Sequence, residues 1–218
     1  MKLDHLNDET IKEILMIQDR LKVMDAKAES RDSFLGYIKH VWPEFIEGEH
    51  HRLFAQKLED VAKGKIKRLI VNMPPRHTKS EFASVYFPSW FMGLKPNTKI
   101  MQTTHTAELS VRFGRKVRNL MDQNEYKQLF DDFGLSADSK SAGRWETNKG
   151  GEYFAAGVGG AITGRGADLL IIDDPHSEQD AMSPSALESA WEWYSSGPRQ
   201  RLQPGGSIVI VMTRWSTI

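Results

Sequence analysis

Four side chains in this sequence have the types and order that phosphate transfer requires. Lys79 and Ser80 follow a short apolar run, Leu69-Ile70-Val71, and the loop Met73-Pro74-Pro75-Arg76-His77-Thr78. Asp173 and Asp174 close a second apolar run, Leu169-Leu170-Ile171-Ile172. A lysine at the end of a strand-to-helix loop brings an ammonium to the β- and γ-phosphates of a nucleotide. The hydroxyl after it can hold Mg²⁺, and N–H groups at the helix start receive phosphate oxygens. Two carboxylates at the end of a buried strand divide the remaining work. Asp173 would hold the Mg²⁺ shell, and Asp174 would orient and deprotonate the water that attacks the γ-phosphate. The usual loop pattern is G-x-x-x-x-G-K-[ST], whereas here Met73 and Thr78 stand at the glycine positions. The plainer alternative is a surface turn leading into a helix capped by Ser80.

These groups need strands and helices to present them, and the apolar periodicity predicts where those lie. Ile11, Ile14, Leu15, Leu21 and Met24 recur at helical spacing between Asp8 and about Ala28, an amphipathic helix whose stripe is expected to dock on its own domain, with a neighbouring subunit as the alternative. Ser30 is expected to cap a second helix that ends at Pro43, and a third runs from Glu49 to Val61. Trp42 and Phe45 beside that turn suit core packing, or the flanks of an adenine ring. The helix opened by Lys79 should stop or kink at Pro88. Lys99 to Thr103 reads as a strand and Ala107 to Met121 as a helix, with Arg112, Arg115, Lys116 and Asn119 on one face, either solvated or facing nucleic acid.

Phe130 to Lys149 is polar and is expected as a loop, after which Glu152 to Ala156 resumes strand character. The glycine-rich stretch from Gly157 to Gly166 suits tight turns, a close approach to a ligand or partner, or a flexible linker, and it carries the long cation Arg165. Ser183-Pro184 opens a further helix, with Ser185 and Glu188 spaced as a capping box, and Trp191, Trp193 and Tyr194 as core or interface. Ser207 to Met212 is one more buried strand, and Thr213 at its end would sit near the γ-phosphate as a sensor.

The 218 residues suit one α/β domain with a small appendage. Basic and acidic residues balance at 29 each, so nucleic-acid contact would need a local patch. The absence of cysteine excludes disulfides and thiolate chemistry. The first thirty residues lack the apolar core of a signal peptide, and no run is long and apolar enough to span a membrane, so a soluble protein inside the cell is the expectation.

Taken as a set, MPPRHTKSE, TGRGADLLIIDDPHSE and SIVIVMTRW resemble the ATPase domain of large terminase subunits, the DNA-packaging motors of tailed bacteriophages. The resemblance begins near Trp42, which divides the chain into a helical extension (1–41) and a P-loop ATPase domain (42–218). It implies an α/β P-loop NTPase of the additional-strand class, with a mainly parallel central sheet flanked by helices. Pro75, Arg76, His77, Thr78, Lys79 and Ser80 would bind ATP, and Ser80 with Asp173 would hold Mg²⁺. Asp174 falls at the position of the catalytic acid, commonly Glu. Arg76 matches the arginine expected to touch the γ-phosphate, and Arg165 the finger expected to enter a neighbouring subunit's site. Thr213 begins the coupling motif.

The implied partners are double-stranded DNA, the portal protein, the small terminase subunit and further copies of the chain in a ring, expected as a pentamer. The implied place of action is the host cytoplasm, transiently at the procapsid portal, without membrane and outside the mature virion. Thr78, the shorter Asp174, and the lack of any stretch able to supply the nuclease of full terminases depart from the family pattern. A helicase-like translocase and a nucleotide-independent docking module are the competing readings. Asp174-Pro175 and Thr213-Arg214-Trp215 fit the former poorly, and the joint retention of Lys79, Ser80, Asp173 and Asp174 opposes the latter.

Overall fold

The computed structural model describes residues 8–162 and 164–215. Buried apolar runs become the strands of one seven-stranded sheet. In chain order these are β1 (Arg68–Asn72), β2 (Lys99–Thr104), β3 (Leu135–Lys140), β4 (Arg144–Thr147), β5 (Glu152–Gly157), β6 (Ala167–Asp173) and β7 (Leu202–Met212). Their spatial order is β1-β7-β6-β2-β5-β4-β3. The first five in that order are parallel, while β4 and β3 run antiparallel at one edge. β7 separates β1 from β6, which is the inserted strand that defines the additional-strand class, and Asn72 pairs with Met212 while Asp173 pairs with Val211. The ends of the three strands are therefore level, so the residues that follow each one meet at one edge of the sheet.

Alternation along the buried strands feeds two cores. Leu169, Ile171, Val209 and Val211 point into the larger one, with Phe34, Phe54, Phe82, Phe87 and Trp90. Leu170, Ile172 and Ile208 point to the opposite face, with Met101, Ile162 and Tyr194. The helices are α1 (Asp8–Asp32), α2 (Phe34–Val41), α3 (Glu49–Ala62), α4 (Lys79–Glu81), α5 (Phe87–Leu94), α6 (Ala107–Met121), α7 (Asn124–Leu129) and α8 (Pro184–Ser196).

The N-terminal helices differ from expectation. α1 continues to Asp32, and the cap of α2 is Ser33, whose side chain accepts from the Gly36 N–H, rather than Ser30. Phe34, Tyr37 and Ile38 of α2 are fully buried in the main core, so packing is continuous across residue 41. The apolar stripe of α1 is only partly covered by its own domain: Ile11 and Ile14 are half-buried, whereas Leu15, Leu21 and Met24 are all more than half exposed. Trp42 and Phe45 serve core packing, Trp42 stacking on Tyr86 at 5.6 Å and Phe45 meeting Phe82 at 5.6 Å.

Pro88 does not stop the helix. A single π turn, Phe82–Tyr86, joins α4 to α5 without a break, the Phe87 N–H reaching back to the Phe82 carbonyl. This wider turn just ahead of Pro88 accommodates a residue that has no N–H and whose ring would crowd the turn before it. The segment 130–149 is not a loop. β4 pairs with β5, and Trp145, wholly buried, stacks on Tyr153 with centroids 4.8 Å apart while its indole N–H donates to the Gly114 carbonyl. At α8 the cap is Ser183, accepting from the Ala186 N–H, so the Ser185–Glu188 capping box does not supply it.

Candidate active site

The loop 73–78 leaves β1 where the Met73 N–H donates to the Met212 carbonyl, and it enters α4 at Lys79. Arg76 and Thr78 both take the left-handed conformation, at φ 63° and 59°. Neither is glycine, and each such position costs on the order of 1–2 kcal/mol for an L side chain. At Thr78 the loop thus adopts, at the expense of strain, a conformation that glycine takes freely. Among the described residues, the N–H groups of Arg76, His77 and Thr78 donate to no protein acceptor. Pro75, Arg76 and His77 are exposed, and the His77 Nδ1–H turns back to the Pro75 carbonyl at 2.9 Å.

Lys79 is buried, and its ammonium donates to Asp174 Oδ2 at 2.6 Å. Ser80 Oγ donates to Asp173 Oδ1 at 3.0 Å. The four residues singled out from the sequence are therefore brought together across more than ninety positions of chain. Asp174 is itself left-handed, at φ 42°, and its backbone is fixed on both sides. Its N–H donates to the Val211 carbonyl and its carbonyl accepts from the His105 N–H. Its Oδ1 accepts the Thr213 N–H at 2.7 Å, which brings Thr213 into the cluster as well.

Asp173 is almost wholly enclosed, and burial pushes its carboxyl up to about 6, with the neighbouring Asp174 charge adding to the rise. Hydrogen bonds from Ser84 and Ser80 and the charge of Lys79 act the other way without cancelling it. A buried carboxylate and an adjacent hydroxyl are hard oxygen ligands of the kind Mg²⁺ takes alongside water and phosphate. The unoccupied N–H groups of the loop and the buried ammonium suit phosphate oxygens. The residues present thus fit a nucleotide with its magnesium.

Ser84, Gln102, His51 and His105 belong to the site and were not singled out from the sequence. Ser84 Oγ donates to Asp173 Oδ2 at 2.7 Å and accepts from Gln102 Nε2 at 3.1 Å. Its position four residues after Ser80, on the same helix face, was the available signal. Gln102, His51 and His105 arrive from β2, α3 and the end of β2, and no local spacing marks them.

Arg165 lies elsewhere. Its guanidinium sits 4.3 Å from the centre of the Phe154 ring, and Phe154 packs with the core on the far side of the sheet from Phe82 and α4. Within its own chain Arg165 does not join the cluster. Part of the glycine-rich segment serves internal close approach, since a Cβ on Gly157 would lie 2.5 Å from the Ala107 nitrogen at the start of α6. On the face of α6, Lys116 is bound to Glu81 at 2.5 Å, whereas Arg112, Arg115 and Asn119 are exposed.

No family model matches the chain, and no curated protein matches it. Among solved structures it is similar to the crystal structure of the HK97 bacteriophage large terminase, with a TM-score of 0.52 at 13% identity. The match covers 78% of this chain and 34% of that one, so this chain spans about a third of the length of its structural relative. The likeness is one of fold, a terminase-like α/β arrangement.

Proposed function

We propose that this chain is the ATP-hydrolysing part of a DNA-packaging motor of the large-terminase kind. The observation that carries the reading is the joint pairing of Lys79 with Asp174 and of Ser80 with Asp173, at the level ends of β1, β6 and β7. A docking module has no need to bury a lysine against a carboxylate beside a strained loop of free N–H groups. The terminase-like fold and the three sequence motifs supply the direction of the work, movement of double-stranded DNA into a procapsid.

In this reading the loop N–H groups of residues 76–78 and the Lys79 ammonium bind and orient the phosphates. Ser80 and Asp173 would hold Mg²⁺, which would supply charge neutralisation at the phosphates. Arrival of the γ-phosphate draws Lys79 from Asp174, and the released carboxylate accepts the proton of the attacking water. Arg76 reaches the terminal phosphate from the exposed loop. Arg165 is assigned to a neighbouring copy's site, a reading its stacking on Phe154, away from its own cluster, agrees with. Thr213, tied by its N–H to Asp174, passes the change to β7. The ring, the portal protein and the small subunit are the implied partners, and the host cytoplasm the implied place, with the procapsid portal as a transient station.

The test is steady-state and single-turnover ATP hydrolysis with Mg²⁺ over a range of protein concentrations, beside Lys79→Ala and Asp174→Asn. Specific activity that rises with concentration and vanishes in both variants is the expected result. Absence of any nucleotide binding by the parent chain would remove the reading.

A further inference from the structure

We infer that His51 is a positioning residue for the phosphate loop, clamping Thr78 in the left-handed conformation that a glycine would otherwise provide. This rests on the reading of residues 73–80 as a nucleotide loop, and it assigns to that loop a control from a helix outside it.

The geometry fixes the direction of each hydrogen bond. The Gly48 N–H donates to His51 Nδ1 at 2.9 Å, so Nδ1 carries no proton and the neutral ring bears it on Nε2. Nε2–H then donates to Thr78 Oγ1 at 2.6 Å. The Thr78 hydroxyl proton in turn points to the His77 carbonyl at 2.6 Å. The relay runs one way, from the start of α3 to the loop backbone, with the Thr78 hydroxyl accepting from His51 and donating to His77.

The ring is held in place as well as in tautomer. His51 is 7% exposed, stacked on Phe82 at 5.1 Å and edge-on to Phe45 at 4.8 Å. Burial, the nearby His50 and, to a smaller extent, His77 hold its pKa below the ordinary histidine value, against the pull of Glu47, which keeps it neutral at pH 7. Thr78 stands at φ 59° and ψ 12°, directly before Lys79, where a β-branched residue is a genuine outlier. Its hydroxyl is bonded on both sides, and the two bonds secure the backbone turn that aims the loop N–H groups and Lys79. A threonine at the second glycine position is thus compensated by a histidine elsewhere in the chain.

The clamp predicts a specific non-additivity. Glycine adopts the left-handed conformation without support, so His51→Ala should matter with Thr78 present and hardly at all in Thr78→Gly. The measurement is the affinity for Mg²⁺-ATP carrying a fluorescent methylanthraniloyl group, made on the parent chain, both single variants and the double variant. His51→Ala is expected to weaken binding about tenfold in the parent, within the coupling range of residues in contact, and less than about twofold in the Thr78→Gly chain. His51→Gln, whose amide N–H reaches the place of Nε2, should restore most of the loss.

Equal losses in both backgrounds would overturn the clamp, because they would mark His51 as a general packing residue. The same four chains are compared by urea unfolding without nucleotide, where the coupling should also show. Coupling in unfolding with no nucleotide bound by any chain would overturn the nucleotide-loop reading and leave the His51–Thr78 link standing. Nucleotide binding without coupling in either measurement would overturn the link itself.

Discussion

Asp174 Oδ1 accepts the Thr213 N–H at 2.7 Å, so the carboxylate that meets Lys79 through its other oxygen also holds the first residue beyond β7. The ends of β6 and β7 and the start of α4 are joined through one side chain. A change in the partner of Lys79 would therefore reach Thr213 through the Asp174 carboxylate alone. Under the proposed function, this is a route by which occupancy of the loop 73–78 would reach the strand beside it.

Asp174→Asn keeps the acceptor for Thr213 and removes the base of the proposed mechanism. Hydrolysis should fall by about a hundredfold or more, the scale of a lost general base. Nucleotide affinity should stay within about threefold, since Lys79 is then free of its ion pair and phosphate binding removes no such contact. Single-turnover kinetics beside equilibrium titration check both, and a parallel collapse of affinity would show that Asp174 shapes the pocket rather than serving the chemistry.

Arg165→Ala should leave ATP affinity unchanged, because Arg165 lies against Phe154 and not in its own cluster. Its effect should appear only in the concentration dependence: the parent's specific activity rises as copies meet, and the variant's stays flat. Fingers of this kind contribute on the order of 10³-fold or more to phosphoryl transfer. A variant whose activity rose with concentration as the parent's does would leave Arg165 no role in a neighbour's site.

The pH dependence of stability carries the sign of Asp173. Its carboxyl is raised from 3.8 to about 6 by burial, so the folded chain takes up a proton more readily than the unfolded one. That contribution is fully present below the unfolded value and is lost as pH rises through about 6. His51 and His176, both held down by burial, act oppositely, losing stability as pH falls. Urea unfolding in EDTA should therefore show the parent gaining about 1 kcal/mol on Asp173→Asn between pH 7 and 5. No relative gain would show that the carboxylate is solvated in the absence of metal.

Much of this architecture is legible in the chain, and the exceptions have physical causes. β6 and β7 declare themselves because strands buried on both faces read as unbroken apolar runs, and the Lys79-Ser80 and Asp173-Asp174 pairs because they follow such runs. The β3–β4 hairpin is hidden, since it lies at the sheet edge with a polar outer face and one dominant buried residue, Trp145. The cap at Ser33 is lost because helical propensity runs unbroken through Ser30. His51 is illegible as part of the loop because its partner lies 27 residues away on another element.

Trp145 makes the edge hairpin a part of the fold rather than an ornament on it. Trp145→Ala removes a fully buried indole stacked on Tyr153 and takes from the Gly114 carbonyl, a helix-interior acceptor of α6, its additional side-chain donor. The loss should be about 3–5 kcal/mol, the range for such a truncation in a core. Urea unfolding measures it, and a change below about 1 kcal/mol would mean that the hairpin frays without consequence for the sheet.

Ser84 offers the sharpest separation of stability from metal use. It donates to Asp173 Oδ2 and accepts from Gln102, so Ser84→Ala strands a buried carboxylate oxygen and a buried amide at once. Each unsatisfied group costs about 1–3 kcal/mol, and the apo chain should be destabilised on that scale. The hydrogen bond from Ser84 also opposes the rise in the Asp173 pKa, so its loss pushes that carboxyl higher still. Because Mg²⁺ needs the ionised form, the pH at which Mg²⁺-dependent hydrolysis reaches half its maximum should move upward in the variant. Ser84→Thr keeps the hydroxyl and should restore the parent profile. An unmoved profile in Ser84→Ala, with stability reduced as expected, would separate Ser84 from metal binding and confine it to the core.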